Sequence, residues 1–209
     1  MSDLTSTDLL DLSPVIPVVV IETLDQAVPV ARALAEGGVP LVELTLRTPV
    51  ALDAIRAIAA EAPEVVIGAG TVTTPELAKE AAAAGAQFLV SPGATPTLLG
   101  AMRDTGLPFL PGTATVSEAL AVLETGHTAM KFFPAEASGG VKFLGSLASV
   151  LPDVRFCPTG GISLATAPSY LSLHNVGCVG GSWLTPAEAL ASGDWDRVTA
   201  LAAATAALR

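Results

Sequence analysis

Short runs of β-branched and aromatic residues recur along this 209-residue chain at Val15–Ile21, Leu41–Leu46, Val65–Ile67, Phe88–Val90, Phe109–Leu110, Ala129–Phe132, Arg155–Cys157 and Val176–Val179. Their starts stand roughly 20–26 residues apart, the length of one strand, one helix and two short loops. Segments with helical spacing of apolar residues fill the gaps, such as Ala27–Glu36, Ala51–Glu61, Glu76–Ala84 and Glu118–Glu124. Thr48-Pro49, Thr74-Pro75, Thr95-Pro96 and Thr185-Pro186 each offer a hydroxyl for a helix N-cap and a proline for the first helical position. Thr115 with Glu118 and Thr185 with Glu188 fit the capping box. Gly37-Gly38, Gly85, Gly106 and Gly126 fall where helices should stop.

Eight strand–helix cycles in one chain of this length leave two arrangements, a closed (β/α)8 barrel and an open doubly wound sheet. The open sheet usually carries its phosphate-binding glycines after the first strand. Here Glu22-Thr23-Leu24 follows that strand, and glycine pairs stand after the seventh and eighth instead, where barrels commonly bind phosphate. The spacing therefore favours an α/β fold, a single-domain (β/α)8 TIM barrel over residues 14–209. An acidic, helical extension over residues 1–13 precedes it.

Composition narrows the function classes. A net charge of −10 without basic clusters argues against nucleic acid. The apolar runs fall well short of the roughly 20 residues needed to span a membrane, and the acidic N-terminus is unlike a signal peptide. Cys157 and Cys178 lie in strand-like apolar runs and read as core residues of a reducing cytoplasm. His127 and His174 have no third ligand at metal-binding spacing, so no metal is expected. With 51% hydrophobic and 14% charged residues, a large core lies under a sparsely charged surface, which favours a homo-oligomer.

Three lysines occur, and Lys131 alone is set in an apolar strand, Ala129-Met130-Lys131-Phe132-Phe133-Pro134. Burying an ammonium costs several kcal/mol unless it is paired or deprotonated. Desolvation favours the neutral amine, the form that attacks a carbonyl to make a Schiff base. The bland alternative is a stem packed on phenylalanine with its head in water. In Leu41–Arg47, Glu43, Thr45 and Arg47 share one face and Val42, Leu44 and Leu46 the other. Helices cover the outside of a barrel, so the polar face must point inward. Glu43 and Arg47 could simply pair, although about 13 Å of backbone rise separates them. Ala129, Lys131 and Phe133 share the inward parity, so Glu43 and Lys131 can converge as base and nucleophile. Arg47, higher on its strand, is placed to clamp a carboxylate.

The rim carries anion-binding signals. Pro158-Thr159-Gly160-Gly161 ends the seventh strand and Gly180-Gly181-Ser182-Trp183 the eighth, and such glycines let backbone N–H groups approach a phosphate. A loop, Gly68-Ala69-Gly70-Thr71, ends the third strand and puts a hydroxyl at the rim. Ser91-Pro92-Gly93 and Pro111-Gly112-Thr113 shape the mouth. Any one of these could be plain turn chemistry.

Taken in order, Glu43-Leu-Thr-Leu-Arg47-Thr, Gly68-Ala-Gly-Thr71, Ser91-Pro-Gly93, Lys131-Phe-Phe-Pro-Ala-Glu136, Arg155-Phe-Cys-Pro-Thr-Gly-Gly161 and Gly180-Gly-Ser-Trp183 resemble the 2-keto-3-deoxy-6-phosphogluconate (KDPG) and 4-hydroxy-2-oxoglutarate (KHG) aldolases. The resemblance runs from about Val15 to Arg209. It implies a class I, Schiff-base lyase on a homotrimeric barrel, acting on a phosphorylated 2-keto-3-deoxy sugar acid and on pyruvate without cofactor or metal. It makes Lys131 the imine-forming lysine, Glu43 the acid/base, and Arg47 and Thr71 the contacts to the pyruvate moiety. Gly160, Gly161, Gly181 and Ser182 become the phosphate cradle, with Pro92 and Thr159 as further substrate contacts. Three other readings stand beside it. They are an aldolase for the 6-phosphogalactonate epimer, a phosphate-binding isomerase or synthase, and a non-catalytic sugar-phosphate-binding barrel.

Overall fold

The computed structural model describes residues 4–208. Its parallel strands are β1 (Val15–Val19), β2 (Leu41–Thr45), β3 (Val66–Gly70), β4 (Phe88–Val90), β5 (Phe109–Leu110), β6 (Gly112–Thr113), β7 (Ala129–Phe132), β8 (Arg155–Pro158) and β9 (Val179–Gly181). Six pair in the order β5-β4-β3-β2-β1-β9 and three in the order β6-β7-β8. Two seams join these sheets into one ring. β5 and β6 are a single run interrupted at Pro111, which has no N–H for a ladder but whose carbonyl accepts from the Lys131 amide at 2.9 Å. Across the other seam, β8 meets β9 through the bridges Phe156↔Val176 and Thr159↔Gly180. Counting the interrupted run once, the ring is an eight-stranded barrel.

The last strand sits later than the apolar run Val176–Val179 suggested. Residues 175–177 swing onto β8 instead, with the Phe156 amide donating to the Asn175 carbonyl (2.8 Å) and the Gly177 amide to the Phe156 carbonyl (3.0 Å).

The helices are α1 (Ser6–Leu9), α2 (Ala27–Glu36), α3 (Ala51–Glu61), α4 (Pro75–Ala83), α5 (Pro96–Asp104), α6 (Val116–Leu123), α7 (Gly140–Leu147), α8 (Ala167–Leu171), α9 (Ala187–Ser192) and α10 (Trp195–Ala206). Thr74, Thr95 and Thr115 cap α4, α5 and α6 as their spacing requires, each accepting from the amide three residues on. Two expected caps do not form. Thr48 donates its hydroxyl to the Ile21 carbonyl at 2.7 Å, and α3 starts only at Ala51. Thr185 is buried, α9 begins after Pro186, and Glu188 pairs with Arg197 at 2.9 Å. A tertiary partner takes the Thr48 hydroxyl, and at the second site Arg197 of α10 takes Glu188, the acidic half of the expected capping box.

The end of the barrel where strands begin is covered by the N-terminal segment. Leu9 and Leu10 are fully buried there, Ser6 Oγ accepts from the Phe109 amide at the start of β5 (3.0 Å), and Asp11 forms a bidentate pair with Arg155 at the start of β8. Residues 1–3 of the acidic extension lie outside the described residues. Among the described residues, no helix is long and apolar enough to cross a membrane. With that end occupied, the cavity lined by Arg47, Gly160, Gly161 and Ser182 lies at the strand C-termini.

Candidate active site

Glu43 lies mid-strand in β2, in register with Gly68 of β3, while Thr45 faces Gly70. A Cβ on Gly70 would collide with the Glu43 carboxylate, and one on Gly68 with the Phe88 ring. These glycines are therefore not a rim loop, as the sequence suggested, but the upper half of β3. Their missing side chains make room inside the barrel for a carboxylate and an aromatic ring.

Lys131 projects inward from β7, between Gly112 of β6 and Cys157 of β8. Its Nζ stands 3.2 Å from Glu43 Oε1, with the two side chains 6% and 2% exposed. The ammonium also lies 5.3 Å from the centre of the Phe133 ring, within cation–π range. The chain does not snorkel. Lys79 and Lys142, by contrast, are exposed. Removing either member of such a pair would strand the other as a buried, unpaired charge.

Arg47 does not pair with Glu43. β2 has ended by Thr45, and Arg47 reaches across the rim so that its Nε donates to Thr71 Oγ1 at 3.3 Å. Thr71 is a β-branched residue at φ 60°, a left-handed conformation that costs a non-glycine residue about 1–3 kcal/mol and persists where the surroundings demand it. Thr45, though on the inward face, donates to the Val19 carbonyl at 3.1 Å. It is structural.

A cavity of about 260 Å³ is lined by Arg47, Phe133, Thr159, Gly160, Gly161 and Ser182 among others, while Lys131, Glu43 and Thr71 do not themselves line it. Gly160 and Gly161 take φ of 105° and 81°, which side chains rarely adopt. Among the described residues, the Gly161 and Ser182 amides donate to no protein acceptor, so they are available to an anion. Gly181, buried behind Ser182, packs against the Trp183 ring, whose Nε1 donates to Thr205 at 3.1 Å. Thr159 Oγ1 contacts the Cys157 carbonyl at 3.4 Å, and a Cβ on Gly180 would strike that hydroxyl. Pro92 is half-buried and does not line this cavity; it packs on Gly112, the register partner of Lys131. Phe133 was not singled out as a site residue from the sequence, although its place on the inward face with Lys131 is the signal for it.

A larger groove of about 990 Å³ runs beside the site between the loop after β1 and α9, sharing only Val18, Val20 and Ser182 with the smaller cavity. The smaller one holds Arg47 and the open amides, and Phe133, whose ring centre lies 5.3 Å from Lys131 Nζ, connects it to the buried pair.

A parallel barrel with one buried lysine–carboxylate pair beneath an arginine and an open-amide rim defines a lysine-centred enzyme for anionic carbonyl compounds. The family model described as KDPG and KHG aldolase matches residues 7–201, and the chain belongs to that family. The chain is 54% identical over 198 residues to the 2-dehydro-3-deoxy-phosphogluconate aldolase of Dickeya dadantii, covering 95% of this chain and 93% of that one. The KDPG aldolase of Legionella pneumophila, solved with pyruvate captured at low pH as a covalent carbinolamine, superposes with a TM-score of 0.95 at 45% identity, over 97% of this chain and 98% of that one. The Zymomonas mobilis aldolase with 3-phosphoglycerate superposes with a TM-score of 0.92 at 44% identity, over 98% and 96%.

Proposed function

We propose that the chain is a class I aldolase that cleaves 2-keto-3-deoxy-6-phosphogluconate to pyruvate and glyceraldehyde 3-phosphate, and that it also accepts the shorter 4-hydroxy-2-oxoglutarate. The observation that carries this is the buried 3.2 Å approach of Lys131 Nζ to Glu43 Oε1. Glu43 takes a proton from the ammonium, and the neutral amine adds to the C2 ketone. Glu43 returns that proton to the departing hydroxyl, and loss of water from the carbinolamine leaves a protonated imine. Glu43, directly or through a water, removes the C4 hydroxyl proton; the C3–C4 bond breaks, and its electrons flow into the imine to make an enamine. Glyceraldehyde 3-phosphate leaves, C3 is reprotonated, and hydrolysis returns pyruvate and the free lysine.

Arg47, held by Thr71, clamps the substrate carboxylate, and the amides of Gly161 and Ser182 receive the phosphate. Gly160 supplies the backbone freedom beside the Gly161 amide, Gly181 leaves room for the Trp183 ring next to Ser182, Thr159 walls the cavity, and Pro92 braces the strand beside Lys131. We place the enzyme in the cytoplasm as a homotrimer. Low charge density and the exposed side chains of Leu24 (47%), Leu120 (44%) and Val150 (61%) support self-association.

The test is borohydride reduction in the presence of pyruvate. A stable adduct on the peptide containing Lys131 is expected. Mass on Lys79 or Lys142, or on no lysine, would remove the mechanism.

A further inference from the structure

The aldol chemistry leaves unused a buried tyrosine and a glutamate behind the Gly160–Gly161 turn. The segment after β7 reaches that turn through two backbone bonds: the Ala135 amide donates to the Thr159 carbonyl (2.8 Å) and the Glu136 amide to the Gly160 carbonyl (3.1 Å). In a trans peptide the C=O and the following N–H point in opposite directions. Anchoring the Gly160 oxygen on Glu136 therefore aims the Gly161 N–H away from Glu136, on the side open to an anion.

The Glu136 side chain fills the space that a Gly161 Cβ would need, with its Cγ 2.7 Å and its Cβ 2.8 Å from that position. Its carboxylate accepts a short hydrogen bond from Tyr170 Oη on α8, the helix that follows the turn. Tyr170 is fully buried, and burial together with Glu136 raises its hydroxyl pKa well above the ordinary tyrosine range, so it remains a donor. Gly140, at φ 56°, leaves clearance for that hydroxyl: a Cβ there would stand 3.0 Å from it.

We propose that Glu136 and Tyr170 are positioning residues for phosphate recognition, Tyr170 fixing Glu136 and Glu136 fixing the plane of the Gly160–Gly161 peptide. This rests on the reading of the turn as the phosphate site. The pair touches no reacting atom, so its removal should affect the phosphate end of the substrate and spare the imine end.

The experiment compares wild type with Tyr170→Phe, Glu136→Ala and Glu136→Gln. KM and kcat are measured on 2-keto-3-deoxy-6-phosphogluconate and on 4-hydroxy-2-oxoglutarate, together with the inhibition constant of inorganic phosphate. Tyr170→Phe and Glu136→Ala should raise KM for the phosphorylated substrate and the phosphate constant about tenfold, as expected for a lost hydrogen bond and a misaimed donor. Values of kcat, and KM on the unphosphorylated acid, should stay within about twofold. Glu136→Gln keeps an acceptor for Tyr170 and should bind phosphate like wild type. Equal losses on both substrates, or an unchanged phosphate constant, would overturn the proposal. Should Tyr170→Phe fold poorly, the two Glu136 variants decide, because equal phosphate constants for them also overturn it. Failure of wild type to trap pyruvate would instead remove the aldolase reading, while the phosphate titration still reports on this one.

Discussion

Lys131 and Glu43 are 88 residues apart in the chain, yet Nζ and Oε1 meet at 3.2 Å inside the barrel. Each needs the other, because neither charge has water to turn to. Glu43→Gln keeps the volume and an acceptor but cannot take a proton. Turnover should fall about 10²–10⁴-fold, the usual range for loss of a general base. Steady-state kinetics with the phosphorylated substrate measure it, and near-normal kcat would transfer the proton chemistry to water or another group.

Gly70 makes the space in which Glu43 sits. Gly70→Ala should destabilise the fold by about 1–3 kcal/mol through overpacking and cut kcat/KM by about 10²-fold through displacement of the carboxylate. Gly100 in α5 is the counter-case: a Cβ there meets nothing within 4 Å, and its φ is ordinary. Gly100→Ala should raise the unfolding free energy by about 0.4–1 kcal/mol and leave activity alone. Urea titrations and steady-state assays on both variants separate the two effects.

Thr71 holds Arg47 at the expense of backbone strain. Thr71→Gly should therefore stabilise the protein by about 1 kcal/mol while weakening pyruvate binding about tenfold. Calorimetry and the pyruvate dependence of imine trapping are the measurements. A variant that loses both stability and affinity would place the origin of the strain elsewhere.

His127 stacks on Phe109 with ring centres 4.2 Å apart, and its Nε2 contacts the Phe109 carbonyl at 2.8 Å. Burial, the largest cause, holds its pKa below the ordinary 6.5. The unfolded chain thus takes up the proton first, so stability is full above about pH 6.5 and declines as pH falls through the interval down to the lower folded value. His127→Gln should flatten that decline. Urea midpoints between pH 7.5 and 5.5 will show it, and parallel curves for variant and wild type would exclude His127 as the source.

The strand–helix alternation was legible because period-2 and period-3.6 patterns are local properties of the chain, as are the caps at Thr74, Thr95 and Thr115. The identical Thr-Pro signal misled at Thr48, whose hydroxyl goes to the Ile21 carbonyl, and at Thr185, which is buried in the loop before α9. Gly68 and Gly70 looked like turn residues because clearance for a neighbouring strand's side chain leaves no trace beyond the glycines themselves. The anchoring of Gly160 and Gly161 by Glu136 and Tyr170 was equally invisible, since it joins three segments through two backbone bonds that carry no sequence signal and one side-chain hydrogen bond between residues 34 apart in the chain.

What the sequence by itself determined is which residues face inward: Glu43 and Lys131 each follow from the alternation of a single strand. Whether Glu43 would pair with Arg47, four residues away, or with Lys131, 88 residues away, was decided only when the ring closed. β2 ends before Arg47, sending it to the rim and to Thr71, while closure brings β7 to the far wall with its ammonium within reach of the carboxylate. Inward parity is encoded along one strand, but a contact across a barrel depends on the placement of every strand between its two members.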